Sequence, residues 1–400
     1  MGFSELGLSP EVLQAVSDAG YTNPTPIQEQ AIPHVKGGRD VLGCAQTGTG
    51  KTASFVLPMI DMLAAGRARV RMPRSLILEP TRELATQVAA SFEIYGKHHR
   101  LTTALLIGGE SFVDQERKLD RGVDVLIATP GRLLDLYGRG KILLSDTHIL
   151  VIDEADRMLD MGFRPVVDKI VKMCARERQT LLFSATLQGE VGKVAKAYTS
   201  NPRRHEHAHS EERKGDVEHR FVTVSHDAKV SRLVAELNEA ERGLTLVFVR
   251  TKRGADRLVK RLGSNNVRAV AMHGDKSQGQ RERALANFEG GVVDTLVATD
   301  VAARGIDVAG ITHVINYDIP ATREDYVHRI GRTARAGASG VGVTLVTHEQ
   351  KRELAGMIGG LGLHRELALG GLSGDRTDGP RGAGRRPAPS RRRRRTPARA

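Results

Sequence analysis

The run Ala45-Gln46-Thr47-Gly48-Thr49-Gly50-Lys51-Thr52 contains the residue types needed to hold phosphate. Gly48 and Gly50 let backbone amides turn toward phosphate oxygens, a helix opening at Lys51 adds the positive end of its dipole, and Lys51 itself supplies a mobile cation. The pattern is a P-loop with Ala45 in place of the usual first glycine, and Thr52 then stands where a hydroxyl would hold Mg²⁺. A Gly-rich turn beside a surface lysine has the same composition, but it has no need to follow a strand and open a helix, as this run does. A second cluster, Asp153-Glu154-Ala155-Asp156, follows the apolar run Ile149-Leu150-Val151-Ile152. Asp153 is expected to contact the metal, and Glu154 to orient or deprotonate an attacking water, the division of labour that nucleotide hydrolysis needs. An isolated acidic cluster is usually a solvated loop; at the end of a buried strand, in a chain with a P-loop, it belongs to the chemistry.

Both clusters require strands whose carboxyl ends meet, because ligands of open parallel sheets gather there. Apolar runs at 40–45, 75–79, 104–108, 123–129, 149–153 and 180–184 are separated by amphipathic stretches such as 82–98. Runs that are apolar on both faces predict a parallel sheet covered by helices. The pattern restarts at 221–224, 244–249, 267–272, 295–299, 313–317 and 342–346, with helices over 252–262 and 278–288. The fold class is therefore α/β, with two tandem parallel-sheet domains at 1–200 and 218–365, a flexible linker at 201–217, and a disordered basic tail at 366–400. Asn201-Pro202 and the charged stretch after it mark the linker. His205, His207 and His209 alternate there; in a strand they would put three imidazoles on one face for a transition metal, although linker composition accounts for the same residues.

The chain has 400 residues and a net charge of +13. At roughly 100 to 200 residues per domain this length gives two or three packed units. The charge points to a polyanionic partner. From Gly374 onward ten arginines against two aspartates carry +8, so the body holds only +5. No stretch approaches the roughly 18 to 20 apolar residues that cross a bilayer. Two cysteines, Cys44 and Cys174, and no secretion-type start suggest a cytoplasmic protein without disulfides. Aromatics at 4% with no Trp argue against recognition by base stacking and favour backbone contacts.

At Asp153-Glu154-Ala155-Asp156 the chain resembles the DEAD-box ATP-dependent RNA helicases, and the likeness covers about residues 1 to 350. It implies two RecA-like domains, ATP and Mg²⁺ as cofactors, and RNA as partner. Gly20-Tyr21-Thr22-Asn23-Pro24-Thr25-Pro26-Ile27-Gln28 looks like the adenine-reading motif, with Gln28 on the adenine edge and Tyr21 stacked on it. The resemblance assigns RNA contacts to Pro80, Thr81, Arg82, Gly108, Gly109, Thr129, Gly131 and Arg132 in the first half. In the second half it assigns them to Thr251, Gln278, Arg281, Thr299, Asp300 and Arg304. Ser184-Ala185-Thr186 resembles the motif coupling hydrolysis to strand separation, its hydroxyls expected on Asp156. Gly305 and Asp307 would meet the nucleotide, with Asp307 on the ribose. His328 to Gly337 resembles the arginine-finger motif, placing Arg332 and Arg335 at the γ-phosphate and His328 toward the acidic cluster. Arg329, Arg332 and Arg335 could also form an exposed helical face. The division of labour decides between these: the first half has a P-loop and no finger, the second has fingers and no P-loop. Ala334 stands where the family usually has glycine.

These assignments imply RNA-stimulated ATP hydrolysis with local unwinding or remodelling of RNA duplexes and RNA–protein complexes. An ATP-gated RNA clamp or chaperone is the alternative, and a DNA helicase a more distant one. The ten tail arginines would tether RNA without sequence preference. Ribosome-assembly or RNA-decay proteins are candidate partners.

Overall fold

The computed structural model describes residues 2–45, 49–206, 217–239, 242–303, 306, 308–334 and 338–372. The first half carries strands β1 (Val41–Cys44), β2 (Ser75–Leu78), β3 (Thr103–Leu106), β4 (Val125–Ala128), β5 (Ile149–Ile152), β6 (Gln179–Ser184) and β7 (Arg203–Glu206). The second carries β8 (Val217–Thr223), β9 (Leu244–Phe248), β10 (Ala269–Met272), β11 (Thr295–Ala298), β12 (Ile311–Asn316) and β13 (Gly340–Val346). Two sheets result, in the orders β3-β4-β2-β5-β6-β1-β7 and β10-β11-β9-β12-β13-β8, and every pairing is parallel. Counted from its own first strand, each sheet has the order 3-4-2-5-6-1, with β7 added beyond β1 in the first. The repeated hydrophobic pattern in the sequence is thus a repeated topology.

Each sheet is buried on both faces, as parallel sheets must be. Ile77, Ile127 and Val151 point into one core with Phe55, Ile60 and Phe183. Their neighbours Leu76, Leu126 and Leu150 point into another with Met158 and Ile170. The second sheet divides in the same way, Leu246 and Leu296 on one side, Val247 and Val297 on the other. Helices begin just past the strand ends: Lys51–Leu63 after β1, Arg82–Tyr95 after β2, Pro130–Gly138 after β4, Ala155–Asp160 after β5, Lys252–Gly263 after β9. The P-loop lysine, the acidic cluster and the segments at 80–82, 129–132 and 251–252 therefore lie at carboxyl edges, whereas the segment 20–28 precedes β1 and enters the helix Pro26–Lys36.

Two boundaries differ from the sequence reading. Residues 203–206, placed in the linker, form β7, held by Arg203 N to Asp40 O at 2.8 Å and by pairing along β1. An edge strand needs no apolar face, so Arg-Arg-His-Glu gives no periodic signal. His205 stacks on His34, ring centroids 5.1 Å apart. His207 and His209 lie outside the described residues, and among the described residues no group of three His, Cys, Asp or Glu could hold a metal. The second core also extends past residue 365: helix His364–Leu369 buries Leu367, and Leu372 packs into the same cluster as Phe221. These leucines precede the arginine run, which lies outside the described residues. No helix among the described residues is long and apolar enough to cross a membrane.

Candidate active site

The helix Lys51–Leu63 opens from Gly50, whose φ of 88° lies in the left-handed region that glycine enters at little cost. Gln46, Thr47 and Gly48 lie outside the described residues. Lys51 is buried, with Nζ 2.7 Å from Glu154 Oε1. Arg157 Nε is 2.9 Å from Glu154 Oε2, so one carboxylate bridges two buried cations. Burial opposes the charge on Glu154, but Lys51 and Arg157, with Arg332 further off, outweigh it and hold its pKa at about 2. Asp153 behaves in the opposite way: burial, only partly offset by Lys51 and reinforced by Glu154, lifts it to about 6. Burial also works against the ammonium of Lys51, yet Glu154 and Asp153 raise its pKa. Glu154 has φ 51°, a left-handed conformation uncommon outside glycine, which re-aims its side chain at the strand end.

Gln28 is buried one turn into its helix. Its Oε1 accepts from Thr25 N at 2.9 Å, and its Nε2 donates to Gly50 O at 3.1 Å, so the expected adenine reader is fastened to the P-loop. Tyr21 is 56% exposed, its ring 6.3 Å from that of Tyr95. Asp156 meets Ser184-Ala185-Thr186 mainly through the backbone. Its carboxylate accepts from Ala185 N at 3.1 Å, and its own N–H donates to Ser184 Oγ at 3.4 Å. The hydroxyl of Thr186 caps Gln188 N instead.

From the second half, Arg332 is buried and donates from Nη1 to Ile306 O at 3.0 Å and from Nε to His328 O at 3.2 Å. It is close enough to Glu154 to help keep that carboxylate ionised. Burial and then the nearby Arg157 lower the His328 pKa, while Asp156 and Glu154 pull the other way. The structure thus brings His328 and Arg332 to the acidic cluster. Arg304, Gly305, Asp307 and Arg335 lie outside the described residues. Arg329 is turned inward, forking onto Asp300 at 2.5 and 2.7 Å and reaching Asn316 and Asp318 O. The periodic Arg329, Arg332 series is therefore not an exposed charged face.

The described residues among those assigned to RNA lie along the same edges. The Arg82 guanidinium lies against Gly108 and Gly109, whose missing side chains leave it room. Pro80 is buried, and Thr81 caps its helix by accepting from Leu84 N at 3.4 Å. Thr129 is the N-cap of Pro130–Gly138, which contains exposed Gly131. Arg132 sits 3.9 Å over the Phe112 ring and donates to Gln115 at 3.3 Å. Across the molecule, Thr251 caps Lys252–Gly263, Gln278 donates to Glu282 at 2.9 Å, and Thr299 is buried. Arg281 reaches back to the first half, with Nη2 2.6 Å from Glu83. These helix N-termini with adjacent guanidinium groups suit phosphate.

Three residues given no individual role in the sequence reading stand in this site: Arg157, Glu83 and Glu79. Arg157 lies three residues after Glu154, the helical spacing for an ion pair. Glu83 follows Arg82 inside a motif already marked. Glu79 ends the apolar run Leu76-Ile77-Leu78, and a charge closing a buried strand is the signal it offered. It is completely buried, and burial with the charges of Asp153 and Glu154 pushes its pKa well above the carboxylate range.

Residues 25–194 match the DEAD/DEAH box helicase family and residues 228–337 the helicase conserved C-terminal domain. The DEAD-box ATP-dependent RNA helicase RhpA of Helicobacter pylori is 41% identical over 355 residues, 89% of this chain and 71% of the relative. The ATP-dependent RNA helicase CshA of Limosilactobacillus reuteri is 42% identical, over 87% of this chain and 69% of the relative. Saccharomyces cerevisiae Dbp5 bound to RNA and ADP BeF3 superposes with a TM-score of 0.79 at 31% identity, covering 90% of this chain and 93% of that one. A P-loop lysine on the acidic cluster, a helix from the second half set against it, and likeness in sequence and structure over nine-tenths of the chain agree: the chain belongs to the DEAD-box ATP-dependent RNA helicases.

Proposed function

We propose that ATP is cleaved between the two halves, Lys51 on one side and Arg332 on the other, while RNA lies across the carboxyl edges of both sheets. The carrying observation is that His328 and Arg332, from the second half, stand within electrostatic reach of Glu154 and Arg157 in the first. Triphosphate entry gives Lys51 a stronger anionic partner than Glu154. Released from Lys51, Glu154 can orient the attacking water and accept its proton, with Arg157 still fixing the other carboxylate oxygen. With Arg157 still paired to it, Glu154 remains a carboxylate after Lys51 turns to the phosphates. Gln28 joins adenine recognition to the P-loop through Gly50. Asp156, through Ala185 and Ser184, passes the state of the site to β6.

The donor set fits Mg²⁺: the Thr52 hydroxyl and the buried Asp153 carboxylate are hard oxygen ligands, and the Glu79 carboxyl, without a hydrogen-bond partner, lies beside Asp153. Bound there, the ion neutralises phosphate charge. Arg332 becomes effective only when the halves are apposed, so hydrolysis depends on RNA-driven closure. Such an arrangement grips a short length of backbone and favours local strand separation over travel along a duplex. Arg332→Ala should lower RNA-stimulated ATP turnover by about 10³-fold or more while ATP affinity stays near that of the parent chain. Full turnover in that variant would remove the finger assignment.

A further inference from the structure

Glu79 has no part in the mechanism above, yet it occupies its centre. Leu78 on β2 pairs in register with Ile152 on β5, so Glu79 and Asp153, the next residues, leave two adjacent parallel strands side by side on the same sheet face. The backbone fixes both positions, with Asp153 N donating to Leu78 O at 3.2 Å and Glu79 N donating to Ala128 O at 3.0 Å. Neither carboxyl oxygen of Glu79 has a hydrogen-bond partner, although the residue is fully buried. Its charged neighbours are Asp153, Glu154, Lys51 and Arg157; both cations pair with Glu154, Arg157 through Nε, and although its Nη1 has no hydrogen-bond partner it makes no hydrogen bond to Glu79.

A buried carboxyl without a donor is costly, so an arrangement of this kind points to a group that arrives with donors and positive charge. A hydrated divalent cation supplies both, because Mg²⁺ retains several of its waters when protein oxygens hold it. We propose that Glu79 is a positioning residue that accepts hydrogen bonds from the waters of the metal ion held by Thr52 and Asp153, an inference that rests on the metal-site reading above. The active centre then has a third carboxylate, which orients the hydration shell from the β2 side and sets how tightly the nucleotide-bound protein retains its metal.

Mn²⁺ binding to the full-length protein with adenylyl imidodiphosphate, followed by electron paramagnetic resonance, tests this. Glu79→Gln should weaken Mn²⁺ binding by about tenfold or more, the usual cost of losing an outer-shell partner, and Glu79→Asp should fall between it and the parent. Nucleotide affinity in EDTA should be unchanged in Glu79→Gln, because burial beside Asp153 and Glu154 already disfavours a charge on Glu79 when no metal is bound. Thermal melting of Glu79→Gln shows that the fold is retained. Mn²⁺ affinity within about twofold of the parent in both variants overturns the inference, as does nucleotide binding weakened equally with and without Mn²⁺. Asp153→Asn separates the two readings: if it also leaves Mn²⁺ affinity intact, the metal-site assignment itself fails.

Discussion

Ala334 shows how one residue can carry a cost that its sequence barely reveals. It stands next to the finger segment with φ 57°, a left-handed backbone that disfavours any side chain by roughly 1–2 kcal/mol. The sequence showed only a departure from the family's usual glycine; the structure supplies the reason that glycine suits the position. Ala334→Gly should stabilise the second half by about 0.5–1 kcal/mol, the relief of strain being partly offset by the greater freedom of glycine in the unfolded chain. Urea unfolding monitored in that half measures it, and equal or lower stability would mean that the backbone bears no strain there.

At the scale of elements, the helix Arg323–Ile330 aims His328 and leads directly into Arg332, and it is started by Thr322, whose hydroxyl accepts from Asp325 N at 3.0 Å. Thr322→Ala should cost about 1 kcal/mol of stability and Thr322→Ser much less, as read from chemical denaturation of the two variants. A loss shared equally by both would point away from the cap. This helix was not read from the sequence, but the sheet framework around it largely was. The buried strands announced themselves by apolar runs such as Leu126-Ile127-Ala128, and the P-loop and acidic cluster by residue type and place. What sequence did not disclose is what tertiary pairing creates. β7 is polar because only one of its edges is bonded, Glu79 gains its meaning from the register of β2 with β5, and Arg281 meets Glu83 across about 200 residues of chain.

For the whole molecule, that last pair matters most. Arg281 and Glu83 are both buried where the halves meet, 2.6 Å apart. Removing one partner of a buried pair strands the other charge, at about 3–5 kcal/mol, and here the cost falls on the closed arrangement alone. Glu83→Ala should therefore reduce the closed population with ATP analogue and RNA, seen by energy transfer between dyes on the two halves. The double variant Glu83→Ala with Arg281→Ala should recover part of the loss. An unchanged closed population in Glu83→Ala would show that the pair does not hold the halves together.

β7 adds a dimension to this picture. Because residues 203–206 are fastened to β1, the connection to β8 consists of the ten residues 207–216. Fully extended, that length reaches about 33–36 Å. A tether so short keeps each half at an effective concentration in the millimolar range for the other. Reassembly after each round of hydrolysis is then a unimolecular event, indifferent to how dilute the protein is, and the pace of the cycle can be set by release of products and RNA rather than by the search of one half for its partner.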